Sequence, residues 1–238
     1  MEPLAVLLTR QPELFGGAGP LRTTLIARQA DFDELFEGFC RLRAVSYAVS
    51  PETLLALFDR GFERIEVIVG ERLGDDSCFR LGGKGARATR RLSARVADGR
   101  LRLLLPDTPI HTKLYLLDGP GLVRVVQTSA NLTETARGAV SPTRGAAPQV
   151  NYAWYIDLEA DHPFAYQAAQ DYAAHARRCA LFRGDLTELI RCRRESLRRE
   201  SVEAWLWSAG ARRSRGVRRG LFQELARRLW RGLLLWLT

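Results

Sequence analysis

Lysine occurs only twice in the 238 residues, at Lys84 and Lys113, and histidine only three times, at His111, His162 and His175. A basic chain of this kind carries nearly all of its positive charge on arginine. The four cysteines (Cys40, Cys78, Cys179 and Cys192) are scattered and form no C-x-x-C pair. That argues against a zinc knuckle or a dithiol redox motif, and reduced thiols in a cytoplasm are the simplest expectation. No run reaches the roughly eighteen apolar residues of a spanning helix. No signal peptide is expected, because Glu2 and Pro3 stand where basic residues belong and Arg10 interrupts the short apolar run that follows. No dense His/Asp/Glu cluster has metal-ligand spacing, so neither a metal nor another cofactor is expected.

What is present is a chain 46% hydrophobic and 26% charged, enough for a real core in one large domain or in one domain with an appendage. The formal net charge is +9. The last fifty residues, Leu189–Thr238, hold thirteen arginines and four glutamates, so the body is neutral and the tail carries the excess. Two segments are therefore expected, a body over 1–185 and an Arg/Trp/Leu-rich helical extension over 186–238. A basic balance favours an anionic partner such as nucleic acid.

Along the body, strand and helix patterns alternate. "RAVSYAVS" (Arg43–Ser50) reads as a strand ending at Pro51, and "SPETLLALF" as a helix capped by Ser50 with Pro51 in its first turn. "RIEVIVG" (Arg64–Gly70) and "RLRLLLP" read as strands, and the Gly-rich "LGDDSCFRLGGKGAR" between them as a loop followed by a short helix. "HTKLYLL" and "LVRVVQTS" are expected to be neighbouring strands joined by the turn "DGPG". "NLTETA" is read as a helix start, "NYAWYIDL" as a strand, and "HPFAYQAAQDYAAHARRCALF" as one long helix. In "NYAWYIDL", alternation puts Trp154 opposite Tyr155, with at least one of them in the core. The order implies an α/β sandwich with a mixed central sheet flanked by helices.

The motif that stands out is His111-x-Lys113-x-x-x-x-Asp118. On a strand, His111, Lys113 and Tyr115 would share one face, with Leu114 and Leu116 turned to the core. An imidazole that attacks phosphorus, beside an ammonium that neutralises phosphate oxygens, is what phosphodiester chemistry needs. "TSAN" (Thr128, Ser129, Ala130, Asn131) follows at the end of the next strand, where hydroxyl, amide and backbone N–H groups can converge on an anion.

Together these motifs resemble the HKD signature of the phospholipase D superfamily and its following G-S-x-N, within a resemblance covering about residues 43 to 181. Thr128 stands in place of the glycine, the Asp118–Ser129 segment is a few residues longer than usual, and no acidic residue has a clear match around Gln149–Asn151. The resemblance implies that His111 is a nucleophile forming a phosphohistidine. It implies that Lys113 and Asn131 stabilise the phosphate oxygens and that Ser129 hydrogen-bonds phosphate or orients a partner group. Asp118 is implied to be structural. The superfamily's site needs two such motifs and this chain has one, so a homodimer meeting at the active-site face is implied. The expected activity is metal-independent cleavage of DNA or RNA. A helicase or another anti-phage defence subunit is the partner that association with such nucleases adds. A phospholipase or phosphatidyl transferase, or a non-catalytic nucleic-acid-binding subunit, are the alternatives.

Among the remaining polar residues, Lys84, Arg87, Arg90 and Arg91, with Arg212 and Arg213 of the tail, are candidates to grip a polyanion. "RLGGKGAR" lacks the spacing of a nucleotide P-loop. His162 reads as a helix-start residue before Pro163, and His175 as an ordinary helix histidine. A membrane partner is not expected.

Overall fold

The computed structural model describes residues 21–74, 83–133, 150–193, 195–196 and 199–200. Eight strands form one mixed sheet: β1 (Arg22–Ile26), β2 (Arg41–Val49), β3 (Arg64–Leu73), β4 (Leu101–Pro106), β5 (Leu114–Asp118), β6 (Leu122–Thr128), β7 (Asn151–Glu159) and β8 (Cys179–Leu181). Their order in space is β1-β7-β6-β5-β2-β3-β4-β8. The pairs β2–β3 and β3–β4 are parallel, and the others are antiparallel. Four helices lie between strands: α1 (Gln29–Glu34), α2 (Pro51–Asp59), α3 (Lys84–Ala97) and α4 (Pro163–Ala176). The α/β class and the mixed sheet flanked by helices expected from the sequence are what the fold shows.

The sheet is buried on both faces, which is why its central strands read as nearly continuous apolar runs. One core packs Phe32 of α1, Leu54 and Leu57 of α2, and Leu92 of α3 against Leu42, Val67, Leu103 and Tyr115. The other places Ala165, Ala168 and Tyr172 of α4 over Val45, Ile68, Leu116, Val125 and Ile156. The Trp154/Tyr155 alternation follows from this, with Tyr155 in the first core and Trp154 turned to the α4 side.

Local chemistry sets the element ends. Ser50 caps α2 by accepting from the Thr53 N–H at 3.3 Å, with Pro51 in the first turn as expected. His162 caps α4, its Nδ1 accepting from the Phe164 N–H at 3.1 Å. His175 lies in the last turn of α4, half-buried. Gly121, at φ +74°, completes the β5–β6 turn in a left-handed conformation suited to glycine.

Five expectations need correction. His111–Lys113 do not belong to a strand, because β5 begins at Leu114. Tyr115 does not share a solvent face with them; it is fully buried, since both faces of the sheet are covered. Lys84–Arg87 are already helical, as the first turn of α3, rather than loop. Asn131–Thr133 do not start a helix: Leu132 makes a parallel bridge with Val49. The expected single helix from 162 to 182 also ends earlier, at Ala176, and Cys179–Leu181 form β8 on the edge of β4. β1 was not anticipated; it is an edge strand, exposed along most of its length.

The change of composition at 186 precedes the edge of the first compact unit, which ends at Arg194. Leu186 and Ile190, on a helix over residues 186–193, are buried in the first core. Of the second unit, Glu195–Thr238, only residues 195, 196, 199 and 200 are described, and they are helical. Arg212 and Arg213 lie outside the described residues.

Candidate active site

The sheet topology gathers the motif residues at one edge. β2, β3 and β4 are parallel, so their C-terminal ends share that edge. Leaving β4, the chain must pass the ends of β3 and β2 to enter β5 on the far side, and His111 and Lys113 lie on this crossing. A second crossing, residues 129–132, runs from the end of β6 back to the end of β2. β7 also begins at this edge, with Asn151. Crevices at the carboxyl ends of parallel strands are where α/β sheets bind ligands.

The first crossing rests on a local irregularity. Ser46 pairs with Val69 but Ala48 pairs with Arg72, so Gly70 and Glu71 stand opposite the single residue Tyr47. A slip of this kind re-aims side chains beside it. Gly70 then allows the crossing to lie close. A Cβ there would stand 2.1 Å from the Ile110 carbonyl oxygen and 2.8 Å from the Tyr47 Cα, so no other residue fits without displacing the backbone.

His111, the next residue, is exposed, and its imidazole stacks on the Tyr47 ring with centroids 4.1 Å apart and planes 20° apart. The Lys113 ammonium donates to the His111 carbonyl at 2.8 Å and lies 5.6 Å from the centre of the same Tyr47 ring. The Arg72 guanidinium is 5.8 Å from it. The Glu71 carboxylate, hydrogen-bonded to the Tyr47 hydroxyl, is the main reason that this phenol is held above its ordinary range. His111 and Lys113 therefore converge, together with a second cation, on one aromatic ring.

The second crossing is tied to Ser46 and Ala48 of β2, the residues on either side of Tyr47. Asn131 Oδ1 accepts from the Ala48 N–H at 3.2 Å, and the buried Ser46 Oγ accepts from the Leu132 N–H at 3.0 Å. Leu132 in turn accepts from the Ser50 N–H at 2.8 Å. Below them, the Tyr115 hydroxyl donates to the Ala130 carbonyl at 2.5 Å. With its carbonyl oxygen engaged by Ala48, Asn131 has its NH₂ end to offer an anion.

Ser129 Oγ donates to Asn151 Oδ1 and accepts from the Tyr152 N–H, each at 3.0 Å. An amide thus stands beside Ser129 in the stretch where no acidic residue was found. Thr128 in place of glycine has a visible use. Its hydroxyl donates to the Tyr152 carbonyl and accepts from the Ala130 N–H, each at 2.9 Å, fixing the turn out of β6.

Asp118 lies at the opposite end of β5, away from this edge. It accepts from Arg43 Nη2 at 3.0 Å, an ion pair binding β5 to β2. Lys84, Arg87 and Arg90 are exposed on α3, and Arg91 there pairs with Asp59 at 2.8 Å. The sequence reading missed Ser46, Tyr47, Gly70, Glu71 and Arg72. Only the glycine closing "RIEVIVG" hinted at them. Among the described residues, no group of three or more His, Cys, Asp or Glu could hold a metal ion, and no helix is long and apolar enough to cross a membrane.

No protein-family model matches the chain. No curated protein matches it in sequence. Solved structures do show similarity. Nuc from Salmonella typhimurium, described as a phospholipase D family member, is 13% identical, with a TM-score of 0.44 over 69% of this chain and 99% of that one. NucT from Helicobacter pylori is 14% identical, with a TM-score of 0.43 over 68% of this chain and 100% of its own. Phosphatidylserine synthase from Haemophilus influenzae Rd KW20 is 13% identical, with a TM-score of 0.48 over 76% of this chain and 47% of that one. The similarity thus spans about half the length of the synthase.

Proposed function

We propose that this protein is a metal-independent phosphodiesterase of the phospholipase D type that cleaves nucleic acid, with its active site completed by a second copy of the chain. The observation that carries this reading is the convergence of His111 and Lys113 on Tyr47, while the segment bearing Ser129 and Asn131 is fastened to the two residues flanking that tyrosine.

On this reading a His111 ring nitrogen attacks phosphorus, forming a P–N bond as the P–O bond to the leaving strand breaks. His111 of the partner subunit gives its proton to that leaving oxygen. Water then attacks the phosphohistidine, losing a proton to the same partner histidine, and the P–N bond breaks. Lys113 and the Asn131 NH₂ group hold the non-bridging oxygens as negative charge builds on them. Asp118 fixes the far end of β5 and touches no substrate. The exposed Lys84, Arg87 and Arg90 lie on α3 and are available to a polyanion; the tail carries an excess of arginine of its own.

The test is incubation of the purified protein with supercoiled plasmid, single-stranded DNA and RNA in excess EDTA, beside His111→Ala and Lys113→Ala. Cleavage by the wild type that both substitutions reduce by a thousandfold or more is the expected outcome, on the order of what removing a nucleophile or its charge stabiliser costs. Absence of cleavage in every lane by folded protein would overturn the nuclease reading. Release of a lipid headgroup in parallel assays would then point to a phosphatidyl substrate, and binding without turnover to a nucleic-acid-binding subunit.

A further inference from the structure

The His111 imidazole is exposed, and among the described residues no hydrogen bond reaches it. A nucleophile in that situation would ordinarily sample several rotamers and lose reactivity by being misplaced most of the time. Among the described residues its one ring contact is with Tyr47. Both imidazole nitrogens lie in the plane of the ring. A stack that covers one face therefore leaves both nitrogens at the rim, one able to meet phosphorus in line and the other able to meet a proton acceptor.

Tyr47 itself is held from several directions. Its backbone neighbours Ser46 and Ala48 bind the second crossing at 3.0 and 3.2 Å. The register slip places Gly70 and Glu71 against it, and Glu71 meets its hydroxyl. Lys113 and Arg72 lie near its ring at 5.6 and 5.8 Å, where a π face attracts cations.

We propose that Tyr47 is a positioning residue for His111: it clamps the imidazole by face-to-face stacking and registers it against the Ser129–Asn131 segment bound to the same stretch of β2. The role rests on the reading of His111 as nucleophile, but the clamp can be tested without turnover.

The clamp has a spectroscopic signature. Protons held over an aromatic ring are shifted upfield by its ring current. With only three histidines in the chain, selective imidazole labelling resolves His111, while His162 and His175 serve as internal references. In the wild type, the His111 ring protons are expected upfield of the other two and to show nuclear Overhauser contacts to Tyr47. Tyr47→Leu is expected to move them downfield and to lower kcat by on the order of tenfold to a hundredfold, the scale of a misplaced reacting group, with KM little changed. Tyr47→Phe keeps the ring and is expected to keep both the shift and most of kcat.

A wild-type spectrum with no Tyr47–His111 contact would overturn the clamp, whether or not the leucine variant folds. So would a leucine variant whose His111 signals and kcat match wild type, or a phenylalanine variant that falls as far as leucine. If the wild type cleaves no substrate but the ring shift and contacts are present, the clamp stands and the nucleophile reading fails.

Discussion

Gly70 shows how much a single missing side chain can decide. The space its Cβ would need is occupied by the Ile110 carbonyl at 2.1 Å, and backbone cannot yield as a flexible side chain can. Gly70→Ala should therefore push the crossing that carries His111 off Tyr47. The expected cost is about 2 kcal/mol from overpacking, read as a lower urea midpoint, with a loss of activity out of proportion to it. Gly121→Ala is the control. Gly121 has a positive φ, +74°, unlike Gly70, but nothing lies within 4 Å of its Cβ position. That variant should lose about 1 kcal/mol and retain activity. Equal losses of activity in the two variants would show that the effect of Gly70 is global instability. Residues of this kind are hard to read from sequence. "RIEVIVG" shows a strand stopping at glycine, whereas the glycine actually sits within a longer strand and admits a neighbouring chain. His111, Lys113 and Asn131 stood out as candidates because histidine, lysine and asparagine are rare in this composition, and Ser129 because it shares "TSAN" with Asn131. Tyr47 was not, because an aromatic in "RAVSYAVS" looks like any strand residue.

At the level of elements, Arg124 does more than occupy β6. It is buried, and Nε and Nη2 bind the Asp157 carboxylate of β7 at 2.6 and 2.8 Å. Its Nη1 donates to the Glu34 and Leu35 carbonyls at the end of α1, at 3.2 and 3.1 Å. The Phe39 and Tyr155 rings lie 4.8 and 4.6 Å from it. One side chain thus satisfies helix-end carbonyls that have no partner within the helix. Arg124→Ala deprives the half-buried Asp157 and the buried Leu35 carbonyl of their partner and should cost about 2–3 kcal/mol by urea denaturation. Arg124→Lys should recover little, because an ammonium cannot reproduce the planar fork. A loss below about 1 kcal/mol would mean that Phe32 and the Arg60–Asp33 ion pair hold α1 without Arg124. Periodicity revealed most strands and helices because both faces of the sheet are apolar. It gives no warning where register slips. Ala44 and Val49 both pack in the first core although their positions differ by five, which simple alternation forbids. It also missed β8, since three residues after a helix carry no period of their own.

Over the whole molecule, two buried phenols set the behaviour in alkali. Burial raises both Tyr115 and Tyr172 well above the ordinary tyrosine value, and the Glu66 carboxylate adds to the effect at Tyr172. Below about pH 10 both are protonated whether the chain is folded or not, so they leave stability independent of pH there. Above it the unfolded chain releases protons that the folded chain keeps, and the unfolded state gains. The urea midpoint should therefore fall more steeply above about pH 10 than between pH 8 and 10. Tyr115→Phe should make that fall shallower, and an unchanged slope would remove Tyr115 from the account.

The two crossings also govern when the site comes into being. Asn131 reaches Ala48 across 83 positions of sequence, Leu132 reaches Ser46 across 86, and Tyr152 reaches Ser129 across 23. None of these contacts is local, and contacts that close long loops form slowly. During synthesis, β2 and its tyrosine exist long before the segment that must be fastened to them. The nascent chain can fold helices and pair β2 with β3 while still lacking the candidate site, and the contact of Ser129 with β7 closes only after β7 has left the ribosome.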